Sequence, residues 1–594
     1  MAAAPSLGPP LPCAPLELQG IARWESLFFE RVTHALPPLP PPVTAPPDPS
    51  LVLDAASEGR RDPLPQNDRS IMVSHGLRRF RAPAWIALVL SLATASSCTS
   101  PEVHGDPRGR GVEADSPRTL LIVLDGLRPD YVTPEMMPRL AELRSQGSWG
   151  REHHAVFPTL TRVNAPSMAT GVRPGIHGLM ENSIFVPELD GGVTISTGDA
   201  GELRRAESAL GGPLLSSPDL AQILHPLGKR LMVASSGSSG SAYLLNHSTP
   251  SGPVVNTELV LPDSLEGEVE ARLGPPPPPA RPNLARNRRA VDAFFAWGVG
   301  ESEADVVLMW LSDPDNTAHS DGVGTPVTLD AIRAVDAEVG RIVDSLAVAG
   351  LLDGTDLIIT SDHGFSTHIG TVRTDRFLVE RGLKASLDSR DVVVAGGGIH
   401  VLEGGEARVL AIAEALRTEP WVGALFSRGA TPDALDGWVP GTLSYASIRY
   451  DHPRAPDLYL SANWSDAPNE LGWPGTTWQL GTAGHGTSSP WDIRATLLAV
   501  GPSFREGVEF AIPTGHHDLA PTILHLQGVP VPGAMEGRVL HELLRSSEGG
   551  PLPSVQRGSH SVRAPLPGGE YVTTLHHAEV QGSYYVKHTV TERP

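Results

Sequence analysis

Three separated stretches of this chain share one pattern, a run of mostly apolar residues that ends close to an aspartate. The runs cover residues 119–124, 305–311 and 356–360. Such a run is typical of a strand in a parallel sheet, since a strand buried on both faces has no solvent side. Asp125, Asp315 and Asp362 follow the runs, where the carboxyl ends of parallel strands meet at one edge. The pattern predicts an α/β fold with functional carboxylates at that edge.

Helices are expected in the segments that connect these strands. A proline near the start, apolar residues at helical spacing and a closing glycine predict a helix over residues 134–147. Two more helices are expected over residues 327–349 and 517–527, and a further strand over residues 496–500. Alternation of strands and helices is typical of a mostly parallel sheet covered by helices.

The pattern is interrupted twice, which suggests a domain organisation. We interpret residues 118–545 as one catalytic domain. Insertions over about 186–297 and 370–479 break it and are expected to cover the active edge of the sheet. Residues 546–594 are expected to form a C-terminal tail, in which alternating side chains over 570–590 suit a hairpin.

Composition restricts the classes of function. The chain has 594 residues, 40% of them hydrophobic and 19% charged, which is ordinary for a soluble globular protein. The formal net charge is -21 and the basic residues form no long run, so a nucleic-acid polymer is not expected as the main partner. Cys13 and Cys98 are the only cysteines, which argues against a thiolate metal site and an internal disulfide in an exported chain.

The N-terminal region consists of two parts that differ in composition. Residues 1–71 are rich in proline without a helical or strand period, so they are expected to be disordered or a mis-annotated extension. From Met72 the sequence is typical of a signal peptide, which we place over residues 72–97. Arginines 78, 79 and 81 form its basic region, and residues 82–95 are an uncharged, mostly apolar run.

Cys98 follows small residues, as in the lipobox of bacterial lipoproteins, with Ala95 at a position where leucine is usual. It is therefore the expected lipidation site, and residues 98–117 are a linker. This predicts a cell-envelope lipoprotein, periplasmic or anchored to the outer membrane, that contacts a membrane only through the lipid. A cleaved secretory signal is the alternative, and a signal anchor is less suitable because the apolar run is too short to cross a bilayer.

Six side chains at or near the predicted strand ends are of the two types that zinc prefers in hydrolytic sites. In two expected groups they are Asp315, His319 and His485 for one ion, and Asp125, Asp362 and His363 for the other. Asp315 and His319 lie four residues apart, so a helical turn brings them to one ion. Any one of these residues alone has an ordinary explanation, because such an aspartate often caps a helix. We assign no metal role to His153, His154, His516, His517, His576 or His577.

Thr161 precedes a short, helical stretch of small residues, 165–170. A threonine there can simply cap the helix. The positive end of the helix dipole also favours an alkoxide and a phosphoryl group, and a nearby zinc would lower the pKa of the hydroxyl.

Together these residues resemble the alkaline phosphatase superfamily. The resemblance is closest to its type I phosphodiesterase/nucleotide pyrophosphatase branch and the related phosphonoacetate hydrolases, over about residues 119–540 apart from the insertions. The motifs are Asp125-Gly126, Pro158-Thr159-Leu160-Thr161-Arg162-Val163-Asn164, Thr170-Gly171, His177-Gly178, Asp315 to His319, Asp362-His363-Gly364 and Ala483-Gly484-His485-Gly486. Ala483 stands where the family usually has glycine. The motifs are weak singly and specific in this order.

The resemblance implies an alkaline-phosphatase-like three-layer sandwich, with a mostly parallel central sheet and inserted cap segments. It implies two Zn²⁺ per chain and Thr161 as the nucleophile. One zinc would be held by Asp315, His319 and His485, and the other by Asp125, Asp362, His363 and Thr161. Asn182, 21 residues after the nucleophile, would donate to a nonbridging phosphoryl oxygen. Asn164, His177 and residues 518–522 recur in the family with an architectural role.

The resemblance implies a two-zinc phosphodiesterase or nucleotide pyrophosphatase that acts through a covalent phospho-threonine, on a small phosphate ester. Arg162 departs from it, because nucleotide-cleaving members have an aromatic or apolar residue there. Arg162 either forms a surface ion pair or faces the pocket and binds an anionic substrate. A phosphonate or phosphomonoester hydrolase on the same site is therefore a second hypothesis. An inactive surface lipoprotein that only binds is a third.

Overall fold

A nine-stranded, mostly parallel sheet forms the centre of the computed structural model, which describes residues 116–247, 252–299 and 304–594. In spatial order its strands are Val508–Phe510, Ser148–Gly150, Leu497–Val500, Thr355–Thr360, Arg118–Leu124, Val306–Leu311, Leu231–Ser235, Val254–Asn256 and Val260–Leu261. The three expected strands are neighbours, with Arg118–Leu124 parallel to both of the others. The strand expected over 496–500 joins them antiparallel.

Helices cover both faces of this sheet, so the architecture has three layers. The α-helices are Pro138–Gln146, Thr161–Thr170, Pro174–His177, Ala200–Leu210, Leu220–Leu224, Ser239–Leu245, Glu266–Leu273, Leu284–Ala293, Asp315–Asp321, Pro326–Val348, Thr374–Glu380, Gly405–Arg417, Pro490–Ile493 and Leu519–Leu526. One apolar core forms around Ile332 and Val339 on one face, and another around Met168 and Leu524 on the other. The two sets of sheet side chains alternate between these cores because successive residues of a strand point to opposite faces.

The predicted helices occur at the expected positions, but their first and last residues differ from the predicted ones. The helix expected over 134–147 begins only at Pro138, where proline occupies the first helical position and needs no hydrogen-bond donor. The helix expected over 327–349 spans Pro326–Val348. The one expected over 517–527 is the α-helix Leu519–Leu526, preceded by a short 3-10 turn, His516–Asp518.

The first insertion is smaller than the sequence suggested. Strand Leu231–Ser235 pairs in parallel with Val306–Leu311 on one side and with Val254–Asn256 on the other. These residues therefore belong to the central sheet. The expectation of an insertion over about 186–297 was therefore wrong for this part. Its beginning does leave the sheet, as the hairpin Ser183–Val186 and Val193–Ser196.

Residues 370–479 build a cap with its own core. A five-stranded sheet consists of Val392–Ala395, Gly398–Val401, Leu458–Ala462, Val422–Ser427 and Leu443–Ser444. A second sheet, of Trp464–Pro468, Pro474–Thr477, Ser366–His368 and Ala483–Gly484, ties the cap to the two loops that carry His363 and His485. The cap is thus fixed to segments next to the predicted ligands.

The C-terminal hairpin expected over 570–590 exists as strands Gly569–Val580 and Ser583–Glu592. A third strand, Val555–Leu566, pairs with the first of these. Val580 and Tyr585 pack into one of the central cores, so these residues are part of the globular body rather than a detached tail. A further small sheet consists of Arg494–Ala495, His153–His154 and Thr514–Gly515.

The expected N-terminal extension over 1–71, the signal peptide over 72–97 and the lipidation site Cys98 lie outside the described residues, as does most of the linker over 98–117. Within the described ranges, no helix has both the length and the apolar character that crossing a bilayer requires.

His517 shows how buried histidines make this fold sensitive to acid. The ring is 2% exposed, packs beside Tyr585, and has no hydrogen-bond partner on either nitrogen within the described part of the chain. Burial, assisted by the positive charge of Arg173, holds the pKa of His517 well below its ordinary value. Unfolding lets the ring take up a proton below about pH 6.5, so the neutral ring stabilises the fold above that pH and this contribution is lost on acidification.

We therefore expect His517→Phe to weaken the acid dependence of stability. Between pH 6.5 and 5 the free energy of unfolding of the variant should fall less steeply than that of the parent, by up to about 1.4 kcal/mol per pH unit for one proton. Denaturant titrations at several pH values measure this, with exposed His225→Phe as the control. Equal slopes in the parent and His517→Phe would contradict the assignment.

Candidate metal centre

Three aspartates meet at the carboxyl edge of the central sheet. Asp125 directly follows its strand, and its backbone N–H donates to the carbonyl of Leu311 at 2.9 Å. Asp362 lies two residues beyond the neighbouring strand, and Asp315 opens the helix Asp315–Asp321 just after the third. The N–H of Asp315 donates to the carbonyl of Asp125 at 3.0 Å. The edge predicted from the apolar runs is therefore where these carboxylates come together.

Five of the six predicted ligands fall into two groups whose donor atoms lie within 4.8 Å of one another. The groups are Asp125, Asp362 and His363, and Asp315, His363 and His485. His319 adjoins the second group, because its Nε2 lies 3.1 Å from Asp315 Oδ1 and 3.3 Å from His485 Nε2. The structure differs from the expected division in one respect, since His363 lies between the groups and stacks on His485 with ring centroids 3.4 Å apart.

Each histidine presents the same nitrogen to the site. His319 Nδ1 lies 3.0 Å from the carbonyl of Ala483, His363 Nδ1 is 2.9 Å from that of Gly364, and His485 Nδ1 is 2.7 Å from that of Thr159. A carbonyl can only accept, so each Nδ1 donates and each neutral ring keeps its lone pair on Nε2. A ligand histidine fixed through its other nitrogen is the arrangement found in metal sites.

Two of the carboxylates, like the histidines, have one atom fixed by a hydrogen bond and another free to bind a metal. Trp310 Nε1 donates to Asp125 Oδ2 at 2.8 Å, and the N–H of Gly126 donates to Asp362 Oδ1 at 3.0 Å. Their other oxygens, and Asp315 Oδ1, are buried and have no hydrogen-bond partner among the described residues. Unpartnered carboxylate oxygens that face imidazole lone pairs fit cations, because a buried acceptor without a donor is costly.

The charges of these groups act on one another. Burial and the negative charges of Asp362 and Asp315 raise the pKa of Asp125 well above its ordinary value. Burial acts in the same direction on Asp315, but His319 and His485 outweigh it and hold the pKa of that carboxyl well below its usual range. Burial lowers the pKa of His319, yet Asp315 raises it overall to about 9. The site therefore concentrates negative charge that divalent cations would neutralise.

Thr161 begins the helix Thr161–Thr170 beside these groups. It is 3% exposed, and its Oγ1 lies 3.2 Å from His363 Nε2. Asn164 fixes the preceding loop, since its side chain accepts from the N–H of Val156 at 2.8 Å and donates to the carbonyl of Leu160 at 3.1 Å. The hydroxyl is thus held at a helix N-terminus next to the predicted ligands.

Asn182 contacts Arg162, the residue that follows Thr161 in the chain. The backbone N–H of Arg162 donates to Asn182 Oδ1 at 3.2 Å. This hydrogen bond uses the amide oxygen of Asn182, so the side-chain NH2 group is the part that can donate to a substrate. Within the described ranges, no carboxylate forms an ion pair with Arg162, and its Nε is buried without a hydrogen-bond partner. Burial lowers the pKa of Arg162, while Asp125 and Asp315 oppose this, so the guanidinium lies in the field of the site.

Glu181 is a residue that the sequence did not reveal. Its buried carboxylate accepts from the N–H of Asn182 at 2.8 Å, the N–H of Gly397 at 2.8 Å and the hydroxyl of Tyr459 at 3.0 Å. It thereby joins the loop of Asn182 to the cap. Burial raises the pKa of Glu181 to about 7. Trp310 was also missed, because an aromatic residue inside an apolar strand looks like any core residue.

Comparison with known sequences identifies the family. A sequence model described as type I phosphodiesterase / nucleotide pyrophosphatase matches residues 119–484. The chain belongs to this family. The match confirms the recognition that the ordered motifs gave, and it includes Thr161 and all the predicted ligands except His485.

Curated relatives of the family are distant and longer. Ectonucleotide pyrophosphatase/phosphodiesterase family member 1 of Rattus norvegicus is 24% identical over 411 residues, which cover 67% of this chain and 39% of the relative. Family member 7 of Homo sapiens is 29% identical over 37% of this chain and 45% of the relative. Venom phosphodiesterase 2 of Crotalus adamanteus is 24% identical over 41% and 26%. The chain therefore spans less than half the length of these relatives.

Solved structures share the fold. Human ectonucleotide pyrophosphatase/phosphodiesterase 5 aligns with a TM-score of 0.51 at 20% identity, over 72% of this chain and 100% of that one. An inactive threonine-to-alanine variant of the murine protein, in complex with AMP, aligns with a TM-score of 0.50 at 18% identity, over 70% and 96%. These likenesses confirm the alkaline-phosphatase-like α/β fold. The two ligand groups described above are candidate metal sites.

Proposed function

We propose that the protein is a two-zinc phosphodiesterase or nucleotide pyrophosphatase that acts through a covalent phospho-threonine at Thr161. The observation that carries the proposal is the position of the Thr161 hydroxyl, at a helix N-terminus and 3.2 Å from the histidine that lies between the two ligand groups. Family membership supports the reaction class, since the relatives are described as phosphodiesterases and pyrophosphatases.

Zinc fits the donors of both groups. Imidazole nitrogens and carboxylate oxygens are its usual ligands where no thiolate is present, and the two groups together with His319 supply three for each ion. We assign Asp315, His319 and His485 to one Zn²⁺ and Asp125, Asp362, His363 and Thr161 to the other. When bound, zinc supplies Lewis-acid charge that favours ionised oxygen nucleophiles and developing negative charge on a leaving oxygen.

The chain's own residues carry out a double displacement. Thr161 Oγ1 gives its proton to solvent and bonds to phosphorus while the ester bond breaks, and the leaving oxygen takes up a proton from solvent and departs as the alcohol. Asn182 donates its NH2 group to a nonbridging oxygen, whose charge grows in the transition state. Water then gives a proton to solvent and attacks phosphorus from the side opposite Oγ1, the bond from phosphorus to Oγ1 breaks, Oγ1 takes up a proton, and a phosphate monoester is released. The reaction consumes one water molecule.

Asn182→Ala should lower kcat by about 10²- to 10³-fold with little change in KM, as expected when an oxyanion donor is removed. Steady-state kinetics on a zinc-loaded protein measure this effect. Thr194→Ala is the control, because Thr194 is exposed on the hairpin strand that pairs with the segment after Asn182. A rate within a few-fold of the parent would remove Asn182 from the mechanism.

Arg162 favours a second candidate, a phosphonate or phosphomonoester hydrolase on the same site. We propose Arg162 as a substrate-binding residue, since its guanidinium has no ion-pair partner among the described residues and lies in the field of the ligand carboxylates, which suits a substrate with an additional negative charge. Turnover of bis-p-nitrophenyl phosphate, p-nitrophenyl phosphate and phosphonoacetate distinguishes the two. We expect the diester to be fastest and the wrong class to be at least about tenfold slower, equal to about 1.4 kcal/mol in barrier.

The binding-only hypothesis is tested in the same assay. A protein without turnover of any of the three compounds after zinc loading would support a surface protein that has lost its activity. The partners that we propose are small phosphate esters or phosphonates, not a nucleic-acid polymer.

We also propose export of the protein as a cell-envelope lipoprotein anchored at Cys98, with a secreted form as the alternative. The support is the sequence of the signal region alone. Cys98→Ser should move the protein from the membrane pellet to the soluble fraction, and a variant that still sediments would contradict the anchor.

A further inference from the structure

A cavity of about 450 Å³ opens next to the candidate active site. Its inner end is bordered by Leu160, Asn182, His368 and Gly486. Leu160 precedes the proposed nucleophile, and Gly486 follows the ligand His485 in the chain. This volume lies in the range of pockets that hold small ligands.

The inner end lies on the side of the ligand group that contains His319. A side chain placed on Gly484 would come within 2.7 Å of His368 Cε1 and 3.1 Å of His319 Cε1, so both rings converge on this glycine. In the proposed reaction this ligand group faces the leaving oxygen, because Thr161 is assigned to the other group. The cavity is therefore in the direction in which a leaving group would extend.

The outer wall is aromatic and comes from the cap. Trp421, Tyr459 and Trp478 contribute to it from three separate segments of residues 370–479, together with apolar residues such as Leu460. Trp421 and Tyr459 are almost fully buried, whereas Trp478 is partly exposed and packs on the cap core. Aromatic side chains of this kind bind planar rings through stacked or edge-to-face contacts.

Charge in the cavity is already paired. Among the described residues that line it, Arg373 is the only arginine or lysine, and its guanidinium forms an ion pair with Asp375. The Glu181 carboxylate accepts three hydrogen bonds from Asn182, Gly397 and Tyr459. A phosphate or pyrophosphate would find no free cation here, in contrast to the side of Arg162.

We propose that this cavity binds the leaving group of the ester and selects an uncharged, planar aromatic group. The inference rests on the proposed hydrolase function and adds to it the chemical class of the leaving group. Trp478 is then a specificity-determining residue that contacts the departing ring, and the cap provides the preference.

The test uses two diesters whose leaving alcohols have similar acidity, methyl phenyl phosphate and methyl hexafluoroisopropyl phosphate. The zinc-loaded parent should have a kcat/KM for the phenyl ester at least tenfold higher than for the other. Trp478→Ala should reduce this ratio at least fivefold, because it should lower kcat/KM for the phenyl ester much more than for the hexafluoroisopropyl ester. Trp478→Phe should preserve the preference, because a planar ring is retained.

Trp438→Ala is the matched control, since Trp438 also packs against the cap core and does not line the cavity. It should keep the ratio of the parent. An unchanged ratio in Trp478→Ala, an equal loss with both esters, or a similar change in Trp438→Ala would overturn the inference. These outcomes are separate from failure of the proposed function, which would appear as no turnover of either ester by the parent.

Discussion

Thr161→Ala is expected to reduce phosphate-ester turnover by at least about 10³-fold, a barrier increase of about 4 kcal/mol. The side chain supplies the only hydroxyl that we assign as nucleophile, and its Oγ1 is buried beside His363 at a helix N-terminus. Alanine is compatible with a helix, so the fold and most of the zinc content should remain. Initial rates with bis-p-nitrophenyl phosphate and metal analysis of the same sample measure both quantities.

Two further variants make this result specific. Thr161→Ser keeps a hydroxyl at the same position and should retain measurable activity, with a phosphorylated residue that can be trapped at low pH and located by mass spectrometry. Thr170→Ala removes a threonine at the other end of the same helix and should leave the rate unchanged, because its Oγ1 donates only to the carbonyl of Pro166. Activity of Thr161→Ala within tenfold of the parent would remove the nucleophile assignment.

The strands that position the site were readable in the sequence because a doubly buried parallel strand is apolar along its whole length. That signal located Arg118–Leu124, Val306–Leu311 and Thr355–Thr360 and the aspartates at their ends. It failed for Leu231–Ser235, since a five-residue strand near glycine, serine and proline has no distinctive period. The first insertion is consequently narrower than the sequence predicts.

The contacts that orient the ligands could not be read in the same way. Trp310 and Asp125 are 185 residues apart, and Gly126 and Asp362 are 236 apart, so only the register of the folded strands brings them together. The role of Glu181 depends on a turn of the cap that begins more than 200 residues later. Residue type identifies a potential zinc ligand, whereas its hydrogen-bond partner depends on tertiary structure.

Removing the metal should have an effect on turnover of comparable size. Chelation is expected to abolish turnover and to destabilise the fold, because Asp125, Asp315 and Asp362 then face one another in a buried site without neutralising cations. Re-addition of zinc should restore both. At a free zinc concentration about 100 times the Kd, each ion that binds the folded state adds about 2.7 kcal/mol to the free energy of unfolding. Denaturant titrations with and without zinc measure this gain.

Single ligand variants test whether the two groups hold separate ions. His485 belongs to one group and Asp125 to the other, so His485→Ala and Asp125→Ala should each lower the zinc content from two ions towards one. His363→Ala should also lower the zinc content, since His363 lies between the groups, whereas exposed His225→Ala should retain two ions. Loss of both ions in every ligand variant would indicate one cooperative site. Full activity of the chelated protein would contradict the metal assignment altogether. Thr161 would then attack phosphorus without the positive charge of the two zinc ions that the neighbouring ligands are suited to hold.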